Sequence, residues 1–420
     1  MKSSRILYLV VFLSKFCISF SVVASFESMT KSHGYSKKSA AHEQDQQKSP
    51  QNSAVVPVPY PLPGYGSFTA RSTVFSPLAF GAKGDGVADD SLVDGTLLAP
   101  ARVSTWSKSS PYQWLNFKWV HNFTIKGTGF INGQGSQWWH SSPQLGGNQA
   151  LRFYAGGNIT VRDITIMNSA LCHLKFDSCV GVEVNNVSIS SPETSPNTDG
   201  IHLQNTRDTK IHNSNIACGD DCISIQTGCS NLHVHHINCG PGHGISIGGL
   251  GKDNSLGCVS NIKVENIYLQ NTLSGVRIKT WQGGAGTVKN VSFYNIRVSN
   301  VAIPVVIDQF YCDKSRCRNQ TRAVAISDVS YNQIIGTYSV QPMHLACSDD
   351  VPCTGVDLTD VRLKTSSSSY NQGFLPALCW NSYGKSQPPL LPSSIDDCLR
   401  RNINGDLIKK VERSHDSACQ

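Results

Sequence analysis

Three titratable residues stand in one repeated setting. Asp199, Asp221 and His243 are each 22 residues apart, and each lies two positions before an apolar-x-apolar triplet, namely Ile201-His202-Leu203, Ile223-Ser224-Ile225 and Ile245-Ser246-Ile247. Asp220 adds a carboxyl beside Asp221. Crowded carboxylates with an imidazole are equipment for acid and base catalysis, because like charges held together separate their proton affinities. Any one Asp has a simpler reading as a turn residue, since Asp and Asn tolerate left-handed backbone and bond their own chain. His243 between two glycines reads equally well as a capped turn. The conjunction carries the chemistry. In Val276-Arg277-Ile278-Lys279 the apolar residues take inward positions, so Arg277 and Lys279 share an outward face. Taken alone they are a solvated strand face; beside a carboxylate cluster they suit an acidic polymer.

The elements that must position these residues are legible in a nine-residue pattern of Asn, apolar, x, apolar, x, Asn/Asp, apolar, x, apolar. It begins at Asn158 and returns, with Gly181 and Asp208 replacing the first Asn, at residues 181, 208, 231, 261 and 290, so the starts lie 23, 27, 23, 30 and 29 residues apart. A period of this size marks a repeat architecture, and the period-two alternation within each copy selects strands over helices. Short strands recurring once per coil with polar turns describe an all-β parallel β-helix, in which neighbouring coils bury one another's apolar faces. Coils stacked in register place equivalent residues about 4.7–4.9 Å apart in the backbone. Asp199, Asp221 and His243 then form a column on one sheet, and Arg277 and Lys279 extend it by one coil.

Asn197-Thr198-Asp199, Gly219-Asp220-Asp221, Gly242-His243-Gly244 and Arg277-Ile278-Lys279, in that order, resemble the four motifs of the polygalacturonases. The similarity runs from about Phe75 to Cys398 and includes Phe80–Gly86, Val93–Pro100 and Asp308–Cys312, which are similar to plant members. The resemblance implies a right-handed parallel β-helix, a single domain over residues 66–400, and hydrolysis of α-1,4 links between galacturonic acid units of pectin. It also implies roles: Asp220 protonates the leaving oxygen, Asp199 and Asp221 activate water, and His243 sustains the protonation of the acid. Arg277 and Lys279 bind the galacturonate carboxylate, while Asn197 and Tyr311 line subsites. Inverting glycosidases usually separate their carboxyl groups by about 6.5–9.5 Å, more than adjacent coils provide, so inversion is taken from the resemblance and not from the spacing. No metal, cofactor or nucleic acid is implied, homogalacturonan is the expected partner, and the expected state is a monomer.

Met1 to Ala24 has a basic start, an apolar run from Ile6 to Leu13 and a small-residue exit at Val22-Val23-Ala24. It reads as a secretory signal peptide, which predicts an extracellular, cell-wall location with no membrane span after cleavage. Loss of Lys2, Arg5 and Lys15 lowers the formal charge from +7 to +4, too mild a balance to argue for a polyanion by itself. Residues 25–65 are rich in Ser, Lys, Gln and Pro and read as a disordered arm, and residues 401–420 as a charged tail. Of fifteen cysteines, fourteen remain after Cys17 leaves, an even number that predicts a disulfide framework in a secreted chain. Cys312 with Cys317 and Cys347 with Cys353 could close short loops, and the family resemblance implies a Cys222–Cys239 bridge. Zinc on Cys218, Cys222, Cys229 and Cys239 is disfavoured, because close CxxC pairs are absent. Sequons begin at Asn122, Asn158, Asn186, Asn290 and Asn319.

One stretch departs from the family. Asp89-Asp90-Ser91 runs almost directly into Val93-Asp94-Gly95, where family members interpose a helix and a first coil. A solenoid without its cap exposes strand edges and apolar surface, so a less stable chain is the expectation. Two rival readings follow: a pectate lyase with calcium on Asp220 and Asp221, and a pectin-binding chain without catalysis.

Overall fold

In the computed structural model, the described residues are 10–13, 16–19, 89–106, 113–140, 149–313, 317–366, 374–399 and 419. The expected arm and nearly all of the expected tail lie outside them. Within the expected signal segment, Val10–Leu13 pairs antiparallel with Phe16–Ser19. No helix of the described residues is long and apolar enough to cross a membrane.

From Asp89 onward the pairing is parallel, in a sheet of fifteen strands and another of ten among the described residues. Sequence neighbours in each stack are one coil apart, which makes the architecture a right-handed parallel β-helix. The ten-stranded sheet carries the motif triplets. Ile201–Gln204 pairs with Ile223–Ile225, that strand with Ile245–Leu250, and that with Ser274–Trp281, keeping Ile201, Ile223, Ile245 and Val276 in one row. These four are buried at 0–1% exposure and form the core side of the sheet, so the alternate residues His202, Ser224, Ser246 and Arg277 face the other way. Further toward the N-terminus the second inward row, that of Leu203 and Ile225, becomes aromatic. Phe117, Phe153 and Phe176 stack with ring centroids 5.3 and 5.2 Å apart, the offset packing that aromatic quadrupoles favour.

The nine-residue copies fold differently from a single strand each. Their first and sixth positions both lie in left-handed backbone: Asn158 and Asp163, Gly181 and Asn186, Asp208 and Asn213, Asn231 and His236, Asn261 and Asn266, Asn290 and Asn295. The first position turns the chain into the sheet. The sixth turns a corner within it, which separates Gly157–Arg162 from Thr165–Met167 and bends the longer strands further along. Asn suits these positions because its short amide offsets the left-handed penalty with local hydrogen bonds. The amides also stack between coils: Asn231 Nδ2 donates to Asp208 at 2.9 Å, Asn261 to Asn231 at 2.9 Å, and Asn290 to Asn261 at 2.8 Å.

The terminal strand Asp89–Leu92 pairs with His121–Lys126, and Thr96–Leu98 pairs with Phe130–Asn132. The residues on either side of the departure noted above thus form the last described coil at the N-terminal end. Among the described residues five disulfides are present, Cys222–Cys239, Cys258–Cys419, Cys312–Cys317, Cys347–Cys353 and Cys379–Cys398, while Cys172, Cys179, Cys218 and Cys229 are buried thiols. The even cysteine number therefore overstates the pairing. Burial lowers the exposure of a thiol to oxidants, which lets these four stay unpaired.

Asn261 both donates to one neighbour and accepts from the other, on left-handed backbone. Asn261→Ala should lower stability by about 1–3 kcal/mol, as the sum of a left-handed penalty and lost hydrogen bonds, and Asn261→Gly should recover only the backbone share. Chemical denaturation of both variants checks this; parental stability in Asn261→Gly would show that the amide ladder contributes nothing.

Candidate active site

The site is built where the loops preceding three consecutive strands meet the outward face of the fourth. Asp199 precedes Ile201–Gln204, Asp220 and Asp221 precede Ile223–Ile225, His243 precedes Ile245–Leu250, and Arg277 and Lys279 lie within Ser274–Trp281. Backbone bonds lock these loops together: Gly200 N–H donates to Asp221 O at 2.9 Å and His243 N–H to Asp220 O at 2.7 Å. Gly244 supplies a positive φ, and a Cβ there would collide with the Ser274 carbonyl oxygen. The Cys222–Cys239 bridge fixes the residue after Asp221 to the end of the next long strand.

The side chains then divide into three units. Asp221 is the buried hub, its side chain only 3% exposed. Arg277 Nη2 lies 2.6 Å from its Oδ1 and Lys279 Nζ 3.0 Å from its Oδ2, and Ser246 Oγ donates to Oδ1 at 2.7 Å. Arg277 Nε in turn donates to Ser246 Oγ at 3.0 Å. A carboxylate this deep is tolerable only because two cations and a hydroxyl replace its lost water. Asp220 forms the second unit, with His243 Nδ1 3.0 Å from its Oδ1 and the Asp221 N–H donating to the same oxygen at 2.8 Å. The His243 ring is 35% exposed and faces the open side. Asp199 forms the third, its Oδ2 3.0 Å from His202 Nδ1.

These settings drive the two neighbouring acids in opposite directions. Burial raises the Asp199 carboxyl, the charges of Asp220 and Asp221 add to this, and the His202 hydrogen bond opposes it without cancelling it. Burial is also the largest influence on Asp220 and acts upward, but the hydrogen bond and charge of His243, then Lys279 and the Asp221 N–H, together hold it below the ordinary range. The carboxyl that is raised, by burial first and by its neighbours' charges second, is Asp199, one coil away, and not a member of the adjacent 220–221 pair. The adjacency argument misses this because it leaves out the cations on the following coils.

Asn197 is exposed on left-handed backbone at the mouth of the Asp199 loop. Tyr311 presents its ring to Lys279 Nζ at 5.3 Å from the centroid and packs edge-on against Trp281. Sequence reasoning passed over His202, Ser246 and His173. The first two occupy the middle of an apolar-x-apolar triplet three residues beyond a motif residue, Asp199 and His243 respectively, and that outward position is the available signal. His173 is fully buried, touches the Asp199 carbonyl oxygen through Nδ1 at 2.9 Å and Ser191 Oγ through Nε2 at 2.7 Å, and is pushed down to about 4 by burial. It braces the Asp199 backbone as a neutral ring.

Asp220, Asp221 and His243 bring possible ligand atoms within 4.8 Å of one another. Calcium takes about six to eight oxygens. Here both Asp221 oxygens already pair with cations and the third donor is an imidazole, so the donor set does not fit that ion.

Residues 87–376 match the family model for glycosyl hydrolases family 28. The chain belongs to this family. It is 39% identical over 309 residues to a probable polygalacturonase of Arabidopsis thaliana, covering 71% of this chain and 69% of that one. It is 42% identical over 280 residues to a polygalacturonase of Persea americana, covering 64% of this chain and 61% of that one. The matched region thus spans about two thirds or less of these relatives' own lengths. Among solved structures, a polygalacturonase from Erwinia carotovora ssp. carotovora aligns with a TM-score of 0.61 at 25% identity, covering 71% of this chain and 83% of that one. An endo-xylogalacturonan hydrolase from Aspergillus tubingensis shares the fold, with a TM-score of 0.59 at 21% identity over 72% of this chain and 85% of that one. The family 28 match covers the four motif segments and all but the last strand, Leu378–Trp380, of the sheet that carries them.

A carboxyl raised by folding makes the ionised form costly in the native state. The cost is fully present above the folded value and vanishes below the unfolded one, so stability contributed by this group falls as pH rises through that window. Asp199→Asn should therefore be more stable than the parent at neutral pH, with the gain fading as pH drops toward the ordinary Asp value. Thermal melts across that range test it; a gain that persists undiminished in acid would rule out the charge as its source.

Proposed function

We propose that this family 28 chain is a secreted polygalacturonase that hydrolyses α-1,4-galacturonosidic bonds of homogalacturonan in the cell wall, with inversion. The observation that carries the reading is the grouping of Asp199, Asp220 and Asp221 on two coils with Arg277 and Lys279 two coils further along the same sheet. Asp220 is the proton donor to the leaving oxygen, and Asp199 and Asp221 orient and activate the attacking water. His243 holds the Asp220 carboxyl and accompanies its proton changes. Arg277 and Lys279 bind the carboxylate of the sugar at the cleavage point, with Tyr311 and Asn197 beside the chain.

The free-enzyme electrostatics fit this assignment in a specific way. Lys279 is among the groups that depress Asp220. A galacturonate carboxylate that pairs with Lys279 removes part of that pull and excludes water, and both changes raise the proton affinity of Asp220 as substrate arrives. The acid is thereby readied by the anionic substrate that needs it. A neutral, fully methyl-esterified polymer lacks this effect.

Asp220→Asn should lower kcat by about 10²–10⁴-fold with the fold intact, measured as release of reducing ends from de-esterified homogalacturonan. Near-parental turnover in the folded variant would remove Asp220 from the mechanism. Appearance of ultraviolet-absorbing unsaturated ends, lost with a chelator, would instead identify elimination. Binding without any reducing-end release by the parent chain would identify the non-catalytic reading.

Lys279→Met should shift the basic limb of the kcat/KM profile to higher pH, because removal of a depressing cation raises Asp220 in the free enzyme. Its loss of affinity should be larger for de-esterified than for methyl-esterified polymer, since a charge-assisted contact disappears. An unmoved limb with equal losses on both polymers would assign Lys279 a purely structural role.

A further inference from the structure

The outward face of the ten-stranded sheet continues past the acids toward the N-terminus. Arg152, Lys175, His202, Ser224, Ser246 and Arg277 form one row on it, a residue to each coil. Leu174 and Phe176 are fully buried, so Lys175 between them points out of the core. It lies one coil before His202, the partner of Asp199, and therefore on the opposite side of the acids from Arg277 and Lys279.

Arg152 and Lys175 are direct neighbours whose charges are handled differently. Arg152 Nη2 is 2.6 Å from Asp177 Oδ2, and its guanidinium stands 5.0 Å from the centre of the Tyr154 ring. Lys175 is half-buried and has no hydrogen bond or ion pair among the described residues. A lysine on a sheet surface is ordinarily just a solvated charge. This one is set apart by its place on the sheet that carries the acids, with the nearby carboxylate of Asp177 already paired to Arg152. The face beyond it carries rings. Tyr154 and Trp119 meet edge-on with centroids 6.5 Å apart, and Trp119 is 48% exposed, which offers apolar area to the C–H faces of a sugar.

Given the proposed function, we propose that the polymer-binding cleft extends across these coils and that Lys175 takes the carboxylate of a galacturonate unit on the far side of the cleavage point from Arg277 and Lys279. Lys175 and Arg277 are four strand spacings apart, about 19–20 Å in the backbone, so only a chain of several units reaches both. Homogalacturonan carries a carboxylate on every unit, and methyl esterification removes the anion that the ammonium would meet. Arg277 and Lys279 must give up part of their pairing with Asp221 to bind a sugar, whereas Lys175 gives up only water. Lys175 thereby sets a preference for long, de-esterified stretches.

The test is calorimetric titration of the full Asp220→Asn chain, in which bond cleavage is suppressed, with galacturonate oligomers of graded length. Adding Lys175→Gln should weaken binding of long oligomers about five- to tenfold, whereas a dimer, too short to span from Arg277 to Lys175, should lose less than about twofold. Lys175→Arg should keep most of the affinity, and full methyl esterification of the long oligomer should abolish the effect of Lys175→Gln. Lys210→Gln removes the same charge from an exposed position on the fifteen-stranded sheet and should leave binding where it was. No loss in Lys175→Gln, a loss equal for dimer and long oligomer, or one matched by Lys210→Gln overturns the inference, as does absence of oligomer binding. Release of reducing ends by the parent chain is read separately: if it is absent while the length-dependent loss holds, hydrolysis fails as the function and the Lys175 subsite stands.

Discussion

In-register stacking of parallel coils is the constraint on which the rest of this molecule depends. Along the strands, backbone N–H and C=O groups find their partners one coil away, so a residue's neighbours are set by its position in the coil more than by its place in the chain. A period in sequence becomes a row in space. That is how acids 22 residues apart come to share one surface, and how Arg277, more than 50 positions beyond Asp221, reaches it at 2.6 Å.

Holding such rows in register requires corners that do not drift. Left-handed residues at two positions of each copy, mostly Asn and Asp, make those corners, and Asn amides link neighbouring coils. A corner displaced by one residue would turn every side chain of the following strand to the opposite face. The precision of the acidic cluster is therefore inherited from residues on another sheet that never contact it.

Within the cluster, charge compensation decides how each acid behaves. Asp221 is buried and paired with two cations, Asp220 is drawn down by His243 and Lys279, and Asp199 is pushed up by burial and by its neighbours' charges. Under the proposed function, an anionic sugar competes with Asp221 for the same cations. In that reading, substrate recognition and acid tuning are parts of one electrostatic network, because Lys279 both pairs with Asp221 and depresses Asp220.

Much of this was legible in the chain. The period of the Asn-led copies and their two-residue alternation established stacked parallel strands, since period and alternation are properties of the backbone itself. The four motifs, in order, identified the candidate residues and the family. Tertiary structure decided what depends on side chains from different coils: that each copy bends at its sixth residue, that His202 and Ser246 join the site, that His243 attaches to Asp220 while Asp221 takes both cations, and that Asp199 is the acid raised, by burial first and by its neighbours' charges second. Four cysteines expected in bridges remain thiols for a similar reason, because pairing needs two sulfurs to meet and an even number in the sequence does not bring them together. Spacing along a chain determines which residues can be neighbours, whereas the sign and strength of their interactions depend on burial and on every charge that folding places within reach.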